Sequence, residues 1–380
     1  MNKFLFLTFL FFNIFRFFFS QYFSFASYIF IGIAYIHFFW LIIQYLKKHI
    51  NQSINKTLII LNLFFLCQLL YHIIFNDTLT SIIGYSNIVL FLNYTYLLIC
   101  IEDDKKFLIN YFKIFIIIIC LGGIVNFFIS PEIFGLIDTS IYSDSSNLDK
   151  INFTKRAISF IKSPQSLGFV LGLIFLTINK KNFGGKLFSI LVFFVGIITF
   201  SRSFIISILI WLVNQLRVKF LYFLIICSSF IYFFEKIVGL SGFDRLINFQ
   251  DALRNFEYSE RYFAYTYYLK FDSIESFLFG NGIGALSRGA EIINSNSFIS
   301  SESYFIQIFF ETGLFGFLII FLFFLKTLLK SNKPLLIVSL IIISFLTPSL
   351  YGYTSSFIVY FLMFMSYKFK NENKRTYISL

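Results

Sequence analysis

At 380 residues, 58% hydrophobic and only 13% charged, with a mean hydropathy of +0.80, the chain is too apolar for a soluble fold, whose surface needs roughly 25% charged residues. The net charge of +12 does not signal a nucleic-acid partner, because Lys and Arg lie scattered between apolar runs where nucleic-acid binding needs a basic patch on one face. An all-α polytopic membrane protein remains, its basic residues serving as an orientation signal.

A helix needs about 20 apolar residues to cross a bilayer, and cytoplasmic loops collect Lys and Arg. Both rules together predict twelve spans in a single transmembrane domain over 1–380: roughly 4–20, 22–46, 57–75, 79–101, 107–129, 164–179, 186–201, 203–216, 220–235, 302–325, 334–349 and 353–367. Lys3 precedes the first apolar run, but no small-residue cleavage site follows, so this run reads as a retained span. Every even-numbered span ends on a basic cluster, from Lys47 and Lys48 to Lys374 and Arg375. Both termini are therefore expected in the cytoplasm, with 19 basic residues inside against Glu102, Asp103, Asp104 and Glu372, a balance of +15, and −3 outside.

Cys67, Cys100, Cys120 and Cys227 fall in or at the ends of apolar runs without CxxC or metal-ligand spacing, so they read as packing residues. His37, His49 and His72 all lie in the first half, which excludes histidine-based metal or triad chemistry in the second.

Two outer loops stand out. The first, 130–163, is polar, is bounded by Pro131 and Pro164, and reads as a flexible lid. The second, 236–301, is the longest; Leu246, Phe249, Leu253 and Phe256 repeat at amphipathic-helix spacing within it. No internal repeat and no soluble domain is evident.

Between these loops the chain from Lys186 to Leu216 must cross twice in 31 residues, where two full spans need about 40. Its reversal, TFSRSF, should dip below the outer surface and hold Arg202 where an unpaired charge is costly. Such an arginine faces a water-filled cavity or a partner, or else caps two helix ends and snorkels to headgroups.

TFSRSFIISILIWLV, from Thr199, resembles the Ser-Arg-Ser/Thr segment of the O-antigen polymerase and O-antigen ligase superfamily. ERYFAYTYYLKFDSIESFLFGNGIGAL, from Glu260, resembles its glycine-rich segment, and ESYFIQIFFETGLFGFLIIFLF, from Glu302, resembles the helix that follows. Order and spacing agree over about Thr199 to Leu325; the first half matches only as a row of spans. The resemblance implies a bacterial inner-membrane glycosyltransferase that moves glycan from an undecaprenyl-diphosphate carrier on the outer face, without metal or other cofactor. The implied partners are the lipid-linked donor and acceptor, membrane lipid and a chain-length regulator.

That chemistry needs fixed cations for a diphosphate leaving group, which suits Arg, and a base near a sugar hydroxyl. By resemblance, Arg202 and Arg261 hold the diphosphate. Arg261 has an ordinary reading as well, since Glu257 lies four residues earlier in a helical pair. Arg254, Arg245 and Arg288 are further substrate-binding candidates, as is Tyr304. Glu302 stands where the ligase pattern has His, which favours the polymerase branch; it serves as base, or equally as a carboxylate at a helix start capped by Ser300 or Ser301. Glu311 lies nine residues further, about 13 Å deeper along a helix, and is read as functional or as half of a buried ion pair. Gly313 and Gly316 read as close helix packing. GNGIG is no dinucleotide fingerprint, since no strand precedes it.

Overall fold

A computed structural model describes residues 2–22, 26–49, 56–75, 78–102, 104–128, 157, 159–161, 163–178, 183–199, 201–216, 271, 273–285, 303–331, 333–346, 350 and 352–366. Every element among them is helical. Long Leu, Ile and Phe runs leave the backbone few side-chain partners, and in hydrocarbon only a helix satisfies its own amides and carbonyls within one segment.

The helices are α1 (Asn2–Tyr22), α2 (Ala26–His49), α3 (Lys56–Phe75), α4 (Thr78–Tyr85), α5 (Phe91–Ile101), α6 (Lys105–Phe128), α7 (Pro164–Thr177), α8 (Phe183–Ile198), α9 (Arg202–Leu216), α10 (Ile274–Phe279), α11 (Tyr304–Lys330), α12 (Pro334–Leu346) and α13 (Tyr353–Met365). All but α10 fall on eleven of the twelve expected spans, and 220–235 lies outside the described residues. Three of them contain stretches long and apolar enough to cross a membrane: Ile29–Lys47, Lys106–Phe128 and Tyr304–Lys330. The others are shorter apolar helices, so the described residues form an all-helical structure with three candidate membrane spans by length and composition. The expected span 79–101 is not one regular helix, because a π-turn, Ser86–Leu90, joins α4 to α5.

The described chain forms two compact units. The first comprises Met1–Phe9, Tyr28–Ile109 and Tyr258–Ile378. Its α5 and α13 are buried on nearly every side, the mark of interior helices. Phe9 packs on Phe30, Tyr94 and Phe357 at ring-centroid distances of 4.6 to 5.4 Å, and the Tyr94 hydroxyl lies 2.9 Å from His37 Nδ1. On its surface, Lys3 Nζ donates to Asp104 at 2.9 Å.

The second unit comprises Leu10–Ser27, Asn110–Glu257 and Ser379–Leu380. Here α7 starts on a Ser163 cap, whose hydroxyl accepts from the Ser166 amide, with Pro164 at the first helical position. Gly168 and Gly172, one turn apart, let α9 approach: a β-carbon at Gly168 would fall on Ser201 and Thr199, and one at Gly172 on Ser207. The end of the expected lid is not free. Ala157 donates to Ile198 at 3.0 Å, the buried Ser159 hydroxyl donates to the Ile119 carbonyl at 2.5 Å, and Phe160 and Ile161 are buried beside it. The remainder of the lid, 130–156, lies outside the described residues.

Candidate functional site

The expected site residues Arg202 and Tyr304 are described, in the second and first unit respectively. Glu302, Arg261, Arg254, Arg245 and Arg288 lie outside the described residues.

Arg202 opens α9 after a reversal of only three residues, Thr199 to Ser201. The serines on either side of it point inward. Ser201 and Ser203 are buried, their hydroxyls are 2.6 Å apart, and both reach the Gln165 carbonyl on α7, Ser203 at 3.1 Å and Ser201 at 3.4 Å. One turn further, Ser207 donates to the Ser203 carbonyl at 3.1 Å. The Ser-Arg-Ser pattern thus has a local cause. Ser201 fits over Gly168 and both serine hydroxyls bind the Gln165 carbonyl, which fixes the turn, while the residue between them, Arg202, is exposed. A guanidinium held at the first residue of a helix combines a permanent charge with the positive end of the helix dipole, a suitable seat for phosphate oxygens.

The second feature lies within the first unit and was only partly foreseen. It falls within the expected outer loop 236–301. Phe271 and 273–285 fold back along α11, with Phe271 against Phe309 at 5.0 Å and Phe279 against Phe315 at 5.5 Å. The short α10 is held by a reciprocal cap, Ser273 and Ser276 each accepting from the other's amide. It then ends on Gly280.

At this level α11 breaks. Gly313 has φ 67° and ψ −170°, a conformation open essentially to glycine alone. Three successive carbonyls at the break find partners outside the helix. Phe310 accepts from the Asn281 amide at 2.9 Å, Glu311 from the Gly282 amide at 3.1 Å, and Thr312 from Gln68 Nε2 at 3.2 Å. Gln68, on α3, donates also to the Phe279 carbonyl at 2.7 Å. Non-helical backbone beside a membrane-length helix survives only when its polar groups are satisfied within the protein, and here the glycine run satisfies two of the three carbonyls and Gln68 the third. The amides of Asn281, Gly282 and Gly284 are thus committed to α11 and that of Ala285 to the loop itself.

The sequence matches no family model and no curated protein.

The Glu311 carboxylate is fully buried at this junction. Its Oε2 accepts from the Gly284 amide at 3.1 Å and its Oε1 from Gln307 Nε2 at 3.4 Å. Gly284 is backed by Gly84 of α4, where a β-carbon would overlap the Gly284 backbone. The expectation for the two α11 glycines divides. Gly316 packs on Phe64 of α3 as a helix-contact glycine should, whereas Gly313 meets the backbone of Leu278 and Gly280 in the loop.

Tyr304, expected to contact substrate, is fully buried, with its hydroxyl 3.3 Å from that of Tyr360. The cap of α11 is Ser303, whose hydroxyl accepts from the Ile306 amide at 3.4 Å, and not Ser300 or Ser301. Glu302 therefore precedes the cap and stands outside the first helical turn in sequence. Gln68 and Gly84 were missed altogether: both lie in apolar runs more than 190 residues from the loop they touch, and an isolated Gln among Leu and Phe was the only signal.

Proposed function

We propose that the protein polymerises lipid-linked oligosaccharide repeat units, transferring the growing glycan from its undecaprenyl diphosphate to a hydroxyl of the next lipid-linked unit on the outer face of the inner membrane. The proposal includes twelve spans and cytoplasmic termini. The observation that carries it is the Ser-Arg-Ser reversal: two buried serines clamped to Gln165 leave Arg202 exposed at the first residue of α9, within a chain whose three ordered motifs resemble the polymerase and ligase superfamily. In this reading Arg202 and Arg261 stabilise the charge developing on the diphosphate, and Glu302 accepts or orients the acceptor hydroxyl. Arg254, Arg245 and Arg288 are further substrate contacts. Replacement of Arg202 or Arg261 by Ala should collapse the polymer ladder to single repeat units; wild-type ladders in both variants would remove the assignment.

One observation favours a second reading. Transporters place interrupted helices and buried charges near the membrane midplane, and α11 is interrupted at Gly313 beside the buried Glu311. The transporter reading predicts movement of a lipid-linked glycan across a bilayer and no extension in detergent. The ligase reading predicts finished polymer left on carrier lipid when the protein is removed.

A further inference from the structure

Six residues, Gly280 to Ala285, carry the chain from the end of α10 around the break in α11. Two side chains from other elements bind the backbone here, one at Phe279 just before the segment and one at Gly284 near its end. Gln68 holds the entrance through the Phe279 carbonyl, while its second bond goes to Thr312 at the break. Glu311 holds the exit through the Gly284 amide, while its second oxygen accepts from Gln307 on its own helix. Both side chains are buried. The backbone bonds of Asn281 to Phe310 and Gly282 to Glu311 register the middle of the loop on α11; the two side-chain bonds hold its ends.

We infer that Gln68 and Glu311 are positioning residues that clamp the two ends of this re-entrant loop. For its consequence on activity the inference rests on the polymerase reading. Arg261 lies ten residues before Phe271, and Arg288 four residues after Gly284, so the clamp fixes the described chain nearest in sequence to each arginine. Glu311 is not assigned as a base. Its carboxylate is fully buried and both oxygens already accept hydrogen bonds, whereas a base must present an oxygen to the substrate hydroxyl.

The test uses the full chain with its four native cysteines replaced and a single cysteine at Ile283, which is 2% exposed between the two clamps. Labelling with a membrane-impermeant maleimide reads release of the loop independently of activity. Glu311→Ala and Gln68→Leu should each raise labelling about tenfold, the effect of weakening the closed state by roughly 1.4 kcal/mol, and should shorten the polymer ladder. Glu311→Gln keeps an oxygen for the Gly284 amide and should stay protected with its ladder intact. Should Glu311→Ala fail to accumulate, Gln68→Leu and Glu311→Gln carry the comparison. Unchanged labelling in both releasing variants overturns the clamp, as does a Glu311→Gln protein that stays protected yet is as inactive as Ala. Release in both variants of a chain that does not polymerise upholds the clamp and removes the polymerase reading.

Discussion

Gly313→Ala is the sharpest test of the broken helix. At φ 67° and ψ −170° a non-glycine residue costs about 1–3 kcal/mol in backbone strain. The added methyl would also fall on the Leu278 carbonyl and the Gly280 nitrogen, backbone atoms that cannot swing aside, and such overpacking costs about 1–3 kcal/mol more. The total of about 2–6 kcal/mol is a large fraction of the roughly 5–15 kcal/mol that holds a typical domain together. Gly32→Ala is the control. It sits inside α2, where no neighbouring heavy atom lies within 4 Å of the new β-carbon, and Ala in a helix interior gains about 0.5–1 kcal/mol over Gly. Thermal unfolding in detergent should place Gly313→Ala well below wild type, or too unstable to accumulate, and Gly32→Ala at or above it. A Gly313→Ala protein that melts with wild type would mean that α11 runs unbroken through this position.

Two further outcomes follow from burial. Tyr304→Phe removes a buried hydroxyl whose neighbour is Tyr360. It should cost about 0.5–1.5 kcal/mol in stability and leave the polymer ladder unchanged, while a lost ladder in a stable protein would restore Tyr304 to the substrate site. Burial pushes the Lys333 ammonium down from 10.5 to about 8. Between about 8 and 10.5 the unfolded chain then binds more protons than the folded one, so stability rises with pH across that window. The melting temperature of wild type should climb there, and that of Lys333→Met should follow a flatter course; parallel profiles would contradict the shifted lysine.

The helices were legible because apolar runs bounded by basic clusters are a local signal, and their limits agree with the segmentation to within a few residues along most of the chain. The turn at Arg202 was legible for a similar reason, since two short apolar runs leave little length for the reversal. What could not be read were contacts between distant segments. Nothing around Gln68 indicates that its amide closes a break more than 240 residues later. The glycine run was read as part of an outer loop because its polarity is typical of one. In the structure its amides face α11, a choice fixed by the conformation of Gly313 rather than by the loop's composition. Glu311 was recognised as out of place in a helix, but one of its partners proved to be a backbone amide of that same loop, and no side-chain pattern marks such a partner.

The central claim is chemical, and extension in detergent tests it most directly. Purified protein would be mixed with undecaprenyl-diphosphate-linked repeat units extracted from cells that lack it, and the lipid-linked products resolved by size. The account predicts a ladder of multiples that still carries the diphosphate lipid and disappears with Arg202→Ala. Single units that stay single with active wild-type protein, while the same preparation moves them across vesicle membranes, would contradict it.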